Sequence, residues 1–96
     1  MFDYEYKTTF WMDFSIADRF GIKAVKDTAR RALNEWKDNV EYMGELVVVL
    51  NHKIWQHYER NPRLAEVYND LWQRFNDFCW NHFKGDDARR YFEITD

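Results

Sequence analysis

Three histidines and one cysteine are the side chains here best equipped for acid–base, nucleophilic or metal chemistry, and their spacing decides what they could do. His52 and His57 are five residues apart, which puts them about 140° apart on a helix. Two ligands offered by one helix sit at i and i+4, so a shared metal is disfavoured. His57 falls inside an apolar arc and reads as a packed or hydrogen-bonded core histidine. His52 falls on the polar face beside Glu41, Glu45, Gln56 and Glu59 and reads as solvated. Cys79-Trp-Asn-His82 has ligand types at i and i+3, but zinc takes three or four protein ligands and there is no second cysteine. A Cys–His pair has the types for nucleophilic catalysis, yet both side chains fall on the apolar stripe of their helix, which points to burial. The Glu-x-x-His pairs of di-iron bundles and the Gly-rich phosphate loop are absent. Asp13 and Asp18 are the remaining carboxylates of interest. Asp18 is more simply the end of Ser15-Ile-Ala-Asp18, a capping box. The expectation is a non-enzymatic chain with no catalytic residues, metal or cofactor.

Phosphate binding is a different chemistry and has better material. Lys23, Lys26, Arg30 and Lys37 fall within about 60° of each other on a helical wheel, with Arg19 and Arg31 nearby. From Arg19 to Lys37 there are six basic and two acidic residues, on a chain whose formal net charge is -3. Such a ridge can grip phosphates; the plainer reading is a solvated face balanced by acidic neighbours. Ala17-Asp-Arg-Phe20-Gly21-Ile22 looks like the turn of a helix-turn-helix. The match then fails, because Asp27 stands where the recognition helix needs an apolar residue, and few residues precede Ser15 to build the helix before it.

The aromatic side chains are the third resource. The chain has eight Phe, six Tyr and five Trp, yet its mean hydropathy is -0.78. A domain this small buries only about 60–65% of the surface its unfolded chain exposes, so some of these rings should face outward and serve a partner. Trp80 lies off the apolar stripe of its helix, among Asn69, Gln73 and Asn76. Trp11 in the N-terminal segment and Trp55 on the flank of a central helix complete the set of candidate partner-binding residues. The alternative is that the chain's own ends cover them.

The elements that must position these residues follow from periodicity. Residues 2–8 alternate apolar and polar, as in a short strand, which could pair with 91–95. The spacing predicts a short helix over roughly 15–20, starting as early as Thr9, with Gly21 as its stop. A second helix covers 22–37, with Ile22, Val25, Ala29, Ala32, Leu33 and Trp36 on one stripe. Asp38 or Asn39 caps a third, to about Arg60, whose arc of Met43, Leu46, Val47, Leu50, Ile54 and Tyr58 is broad enough for a central helix. Asn61-Pro62 starts a fourth, since Pro suits the first helical position after an Asn cap. Its stripe is Leu64, Tyr68, Leu71, Phe75, Phe78 and Cys79, and Gly85 ends it; Asp86 can cap a last turn to Tyr91. The expected fold is all-α: one domain over residues 1–96, a small antiparallel bundle of three longer helices with short flanking helices and the N-terminal strand.

Bulk properties narrow the setting. The negative charge and a pI near 5.6 do not suit a chain built as a whole for polyanions. No apolar run approaches the ~18–20 residues of a membrane helix. The acidic start is no secretion signal, and a lone Cys79 makes no internal disulfide, so a cytoplasmic protein is expected.

The string from Thr8 to Gly21, Thr-Thr-Phe-Trp-Met-Asp-Phe-Ser-Ile-Ala-Asp-Arg-Phe-Gly, resembles the opening of a family of small proteins from phages, prophages and other mobile elements of gut and Gram-positive bacteria. Lys26-Asp-Thr, Arg31-Ala, Glu35-Trp-Lys, the Glu45–Asn51 segment, Trp55-Gln-His-Tyr-Glu59, Lys84-Gly85, Tyr91-Phe and Thr95-Asp96 fit the same family. The resemblance implies a mobile-element setting and brings no activity or functional residues with it. Together these readings give an expected function: an accessory protein that binds a host or phage protein, such as a defence effector, and blocks it. The alternatives are nucleic-acid binding through the second helix, and a homo-oligomer that consumes its own aromatic surface.

Overall fold

The computed structural model describes residues 8–83. They form four helices and no strand: α1 (Phe10–Asp18), α2 (Ile22–Trp36), α3 (Val40–His57) and α4 (Pro62–His82). The protein is an all-α bundle, as the periodicity predicts. Residues 2–7 of the expected strand, the 91–95 segment, the Gly85 stop and the Asp86–Tyr91 turn lie outside the described residues.

Local chemistry sets the boundaries. Asn39 caps α3, its Oδ1 accepting from the Tyr42 amide at 3.0 Å. Asn61 caps α4, its Oδ1 accepting from the Leu64 amide at 3.2 Å, with Pro62 next. Each cap satisfies one of the four amides that a helix start leaves without a partner. Asn61→Ala is expected to lower stability by about 1 kcal/mol. Urea denaturation checks this, and an unchanged midpoint would show that solvent replaces the cap at no cost. Between α1 and α2, Gly21 has φ 105°. A Cβ there would meet nothing within 4 Å, so the backbone conformation, not space, is what calls for glycine.

Two readings from the sequence are corrected: the capping box and the end of the third helix. The first helix takes the early start, at Phe10 after Thr9, so Ser15 sits mid-helix and Ser15–Asp18 is no capping box. Asp18 is instead the last residue of α1. The third helix ends at His57 rather than near Arg60, and Tyr58 leaves the apolar arc for solvent.

The core is built from one stripe of each helix. Phe10, Phe14 and Ala17 of α1 meet Val25, Ala29 and Ala32 of α2, and α3 adds Met43, Leu46, Val47, Val49 and Leu50. From α4 come Leu64, Tyr68, Leu71, Phe75 and Cys79. The largest interface is between α3 and α4, while α1 lies mainly on α2. Central α3 touches all three other helices, as its broad arc requires. Glu45 is buried within it and accepts from the Thr8 amide at 2.7 Å and from the Thr8 hydroxyl.

Candidate functional site

One face of α1 carries the residues that organise the interior. Trp11, Ser15 and Asp18 recur at i, i+4 and i+7, so they share a face. That face meets Lys53 and His57 of α3 and Tyr68 of α4. Lys53 has no exposed side-chain surface; its Nζ donates to Asp18 Oδ2 at 2.8 Å and to Ser15 Oγ at 3.0 Å. The same ammonium lies 4.8 Å from the centre of the Trp11 ring, a favourable place for a desolvated cation. His57 Nε2 donates to Asp18 Oδ2 at 2.9 Å, and the Tyr68 hydroxyl donates to Asp18 Oδ1. The His57 and Tyr68 rings stack 5.7 Å apart. Burial first, then the hydrogen bond to Asp18 and its charge, push the Tyr68 phenol far above its ordinary range.

Ser15 beside Lys53 has the types of a Ser–Lys nucleophile and base, but the geometry argues otherwise. A lysine acting as base must offer a lone pair. Ion-paired to Asp18, Lys53 is a donor to Ser15 and offers none. Charges this buried are retained when paired and hydrogen-bonded, and here one carboxylate answers donors from two other helices. The cluster is a structural pin.

Cys79 is fully buried, and burial pushes its thiol up to about 12. That removes the thiolate a nucleophile needs. His82 is a correction to the sequence reading: it is exposed, not buried, and bonds Asp38 at 2.8 Å, its ring stacked on Phe78. His52 is half-buried, with its ring edge-on to Trp11 at 6.2 Å, rather than fully solvated. Among the described residues no group of three or more His, Cys, Asp or Glu side chains could hold a metal ion, and no helix is long and apolar enough to cross a membrane.

The aromatic candidates separate by position. Trp11 is half-buried over Lys53 and is engaged inside the fold. Trp55 is 66% exposed and Tyr58 59%, and their rings pack together at 5.5 Å. They form one wall of a groove of about 600 Å³ between α3 and α4, with Ile54 and Asn51 on the α3 side and Pro62, Ala65, Asn69 and Trp72 on the α4 side. The short connection from His57 to Pro62 and the large α3–α4 interface make these two helices antiparallel neighbours. Trp80 is exposed. By helical spacing it falls on the same face of α4, about 12 Å beyond Trp72. On this stretch of α4, Trp72 Nε1 and Asn76 Oδ1 are buried with no hydrogen-bond partner among the described residues. The sequence pattern offers Trp55 and Trp80 but not Tyr58 as their companion, because Tyr58 falls on the apolar arc of α3; its i+3 spacing from Trp55 is the signal that joins the two rings.

The phosphate-binding candidates Lys23, Lys26, Arg30 and Lys37 are all exposed along α2. Asp27 lies among them, 4.0 Å from Lys23 and 3.9 Å from Arg30.

No family model, curated protein or solved structure matches this chain.

Proposed function

We propose that this chain is a non-enzymatic binding protein whose α3–α4 groove captures the apolar face of a helix in a partner protein. The observation that carries the reading is the exposed Trp55–Tyr58 pair at the mouth of a groove lined by Ile54, Ala65 and Trp72. Trp and Tyr are the residues most enriched in binding hot spots. A furrow between two antiparallel helices accepts a third helix in the ridges-into-grooves manner. The buried chemistry is consistent with this, since the Asp18–Lys53 pair and Cys79 are tied into the fold.

A phage or mobile-element setting is part of the proposal and rests on the resemblance in Thr8–Gly21 and the other shared segments. In that setting, a small acidic protein that covers a surface on a host defence effector is a coherent role. That step is by analogy.

The test is affinity capture from bacterial lysate with wild type, Trp55→Ala plus Tyr58→Ala, and Trp80→Ala, all nuclease-treated and read by mass spectrometry. Both groove side chains are exposed, so the double variant should keep the wild-type melting temperature. The expected result is a protein partner whose affinity falls about 30-fold or more in the double variant, the loss of a hot spot of about 2 kcal/mol. If every captured protein binds the double variant as well as wild type, the groove is not the binding surface. Sedimentation of the same proteins identifies a homodimer, which would place a second copy in the groove.

A further inference from the structure

We propose that the α1–α2 face binds single-stranded nucleic acid, with the sugar–phosphate chain along Lys23, Lys26, Arg30 and Lys37 and a base seated against Phe20. This site lies on different helices from the α3–α4 groove and does not depend on it.

Charge placement is the first observation. Residues 19–37 hold six of the chain's 14 basic residues and two of its 17 acidic ones. The other 77 residues therefore carry eight basic and fifteen acidic, so the positive charge is concentrated on α2 and the residues that flank it, in an acidic protein. Lys23 has 93% of its side chain exposed and Arg30 73%. Their approaches to half-exposed Asp27 are at the limit of ion pairing and hold neither firmly. From Lys23 to Lys37 the ridge is about 21 Å long.

Phe20 is the second observation. It is 77% exposed, in the turn between α1 and α2 beside Arg19. No core position requires it, and an exposed ring next to a row of cations is the arrangement on which unpaired bases stack. It borders a hollow of about 530 Å³ together with Ile16, Ala24, Asp13, Asp27 and Arg31. The two carboxylates repel a phosphate from the hollow and can accept hydrogen bonds from an amino group on a base edge. The base therefore enters the hollow and the phosphates stay on the ridge. Interface cores between proteins are depleted of charge, so a row of four cations suits a polyanion better than a protein surface. A duplex fits poorly, since its bases are not free to stack on Phe20 and Asp27 sits in the middle of the helix that would read it.

Fluorescence anisotropy with a labelled mixed-sequence strand of about twelve nucleotides, and with the matching duplex, tests this over about 50–200 mM salt. Single-strand affinity is expected to fall with salt at a log–log slope near -3, from four contacts at about -0.7 each. Lys26→Glu with Arg30→Glu should bring the slope to about -1.4 and weaken binding at every salt concentration. Phe20→Ala should weaken the single strand about tenfold and leave the slope unchanged, which separates stacking from charge. All three positions are exposed, so circular dichroism should show wild-type helicity. Absence of binding at about 50 mM salt overturns the proposal. So does equal affinity for duplex with no effect of Phe20→Ala, which would mark a nonspecific electrostatic surface.

Discussion

Asp18→Ala is expected to destabilise the fold by about 3–5 kcal/mol, the range for removing one member of a buried ion pair. The cost comes from what is left behind. Lys53 has no exposed surface, and without Asp18 its ammonium keeps only the Ser15 hydroxyl at 3.0 Å and the face of the Trp11 ring. His57 and Tyr68 lose their acceptor in the same step. A domain of this size has about 5–15 kcal/mol in total, so the variant should melt far below wild type, by about 4–8 °C for each kcal/mol. Urea denaturation of Asp18→Ala, Lys53→Met and the pair together completes a double-mutant cycle. The double variant should be more stable than Asp18→Ala alone, because it removes the stranded charge along with its partner. A loss below about 1 kcal/mol in Asp18→Ala would mean that water reaches Lys53, and the pin would not be what joins α1 to α3.

This pin also shows where sequence reading stops. The stripes of α2, α3 and α4 were legible because each has one apolar side, and Asn39 and Asn61-Pro62 marked two starts by simple hydrogen-bond chemistry. The first helix gave no such stripe. Phe10, Phe14 and Ala17 point inward while Met12 and Ile16 on the other side remain exposed, so periodicity could not locate its start. Ser15 and Asp18 then took the spacing of a capping box by coincidence. Lys53 was hidden for a different reason: lysine is almost never fully buried unless paired, and its pair lies 35 residues away in sequence. The available signal was positional. Lys53 stands at the edge of the α3 arc, one turn before His57, and a lysine and a histidine so placed need a carboxylate from another helix. His57 itself was read as a hydrogen-bonded core residue, and Asp18 is its partner.

The candidate surfaces were legible to different depths for related reasons. The α2 ridge could be counted directly from the wheel, since exposed charges obey helical spacing whatever packs beneath them. The α3–α4 groove could not, because a groove belongs to two helices: the Trp55–Tyr58 wall faces Pro62, Ala65 and Trp72 only once α4 lies against α3. Trp11 could have gone either way from sequence. Its neighbours in the fold, the Lys53 ammonium and the His52 ring, meet it only once α1 lies across α3.

Stability should also collapse at high pH, in two stages with a definite order. Cys79 is fully buried and its thiol is pushed from 9.0 up to about 12. Above pH 9 the unfolded chain releases this proton while the folded chain keeps it. The folded state then binds more protons than the unfolded one, so stability falls as pH rises, by about 1.4 kcal/mol per pH unit. The contribution is fully present below pH 9 and is lost progressively towards about 12. Tyr68 adds a second such loss from its ordinary value of 10.0 upward, since burial and Asp18 hold the phenol protonated well beyond that point. Urea midpoints should be level at pH 7–8, decline gently from pH 9 and steeply from pH 10. Cys79→Ala should start from a lower stability and stay level to pH 10. Tyr68→Phe should lose about 1.5–3 kcal/mol at neutral pH with its bond to the Asp18 carboxylate, and lack the steep second stage. If wild type and Cys79→Ala decline in parallel between pH 9 and 10, hydroxide reaches the thiol in the folded state, and the α4 stripe around Cys79 opens more readily than its burial implies.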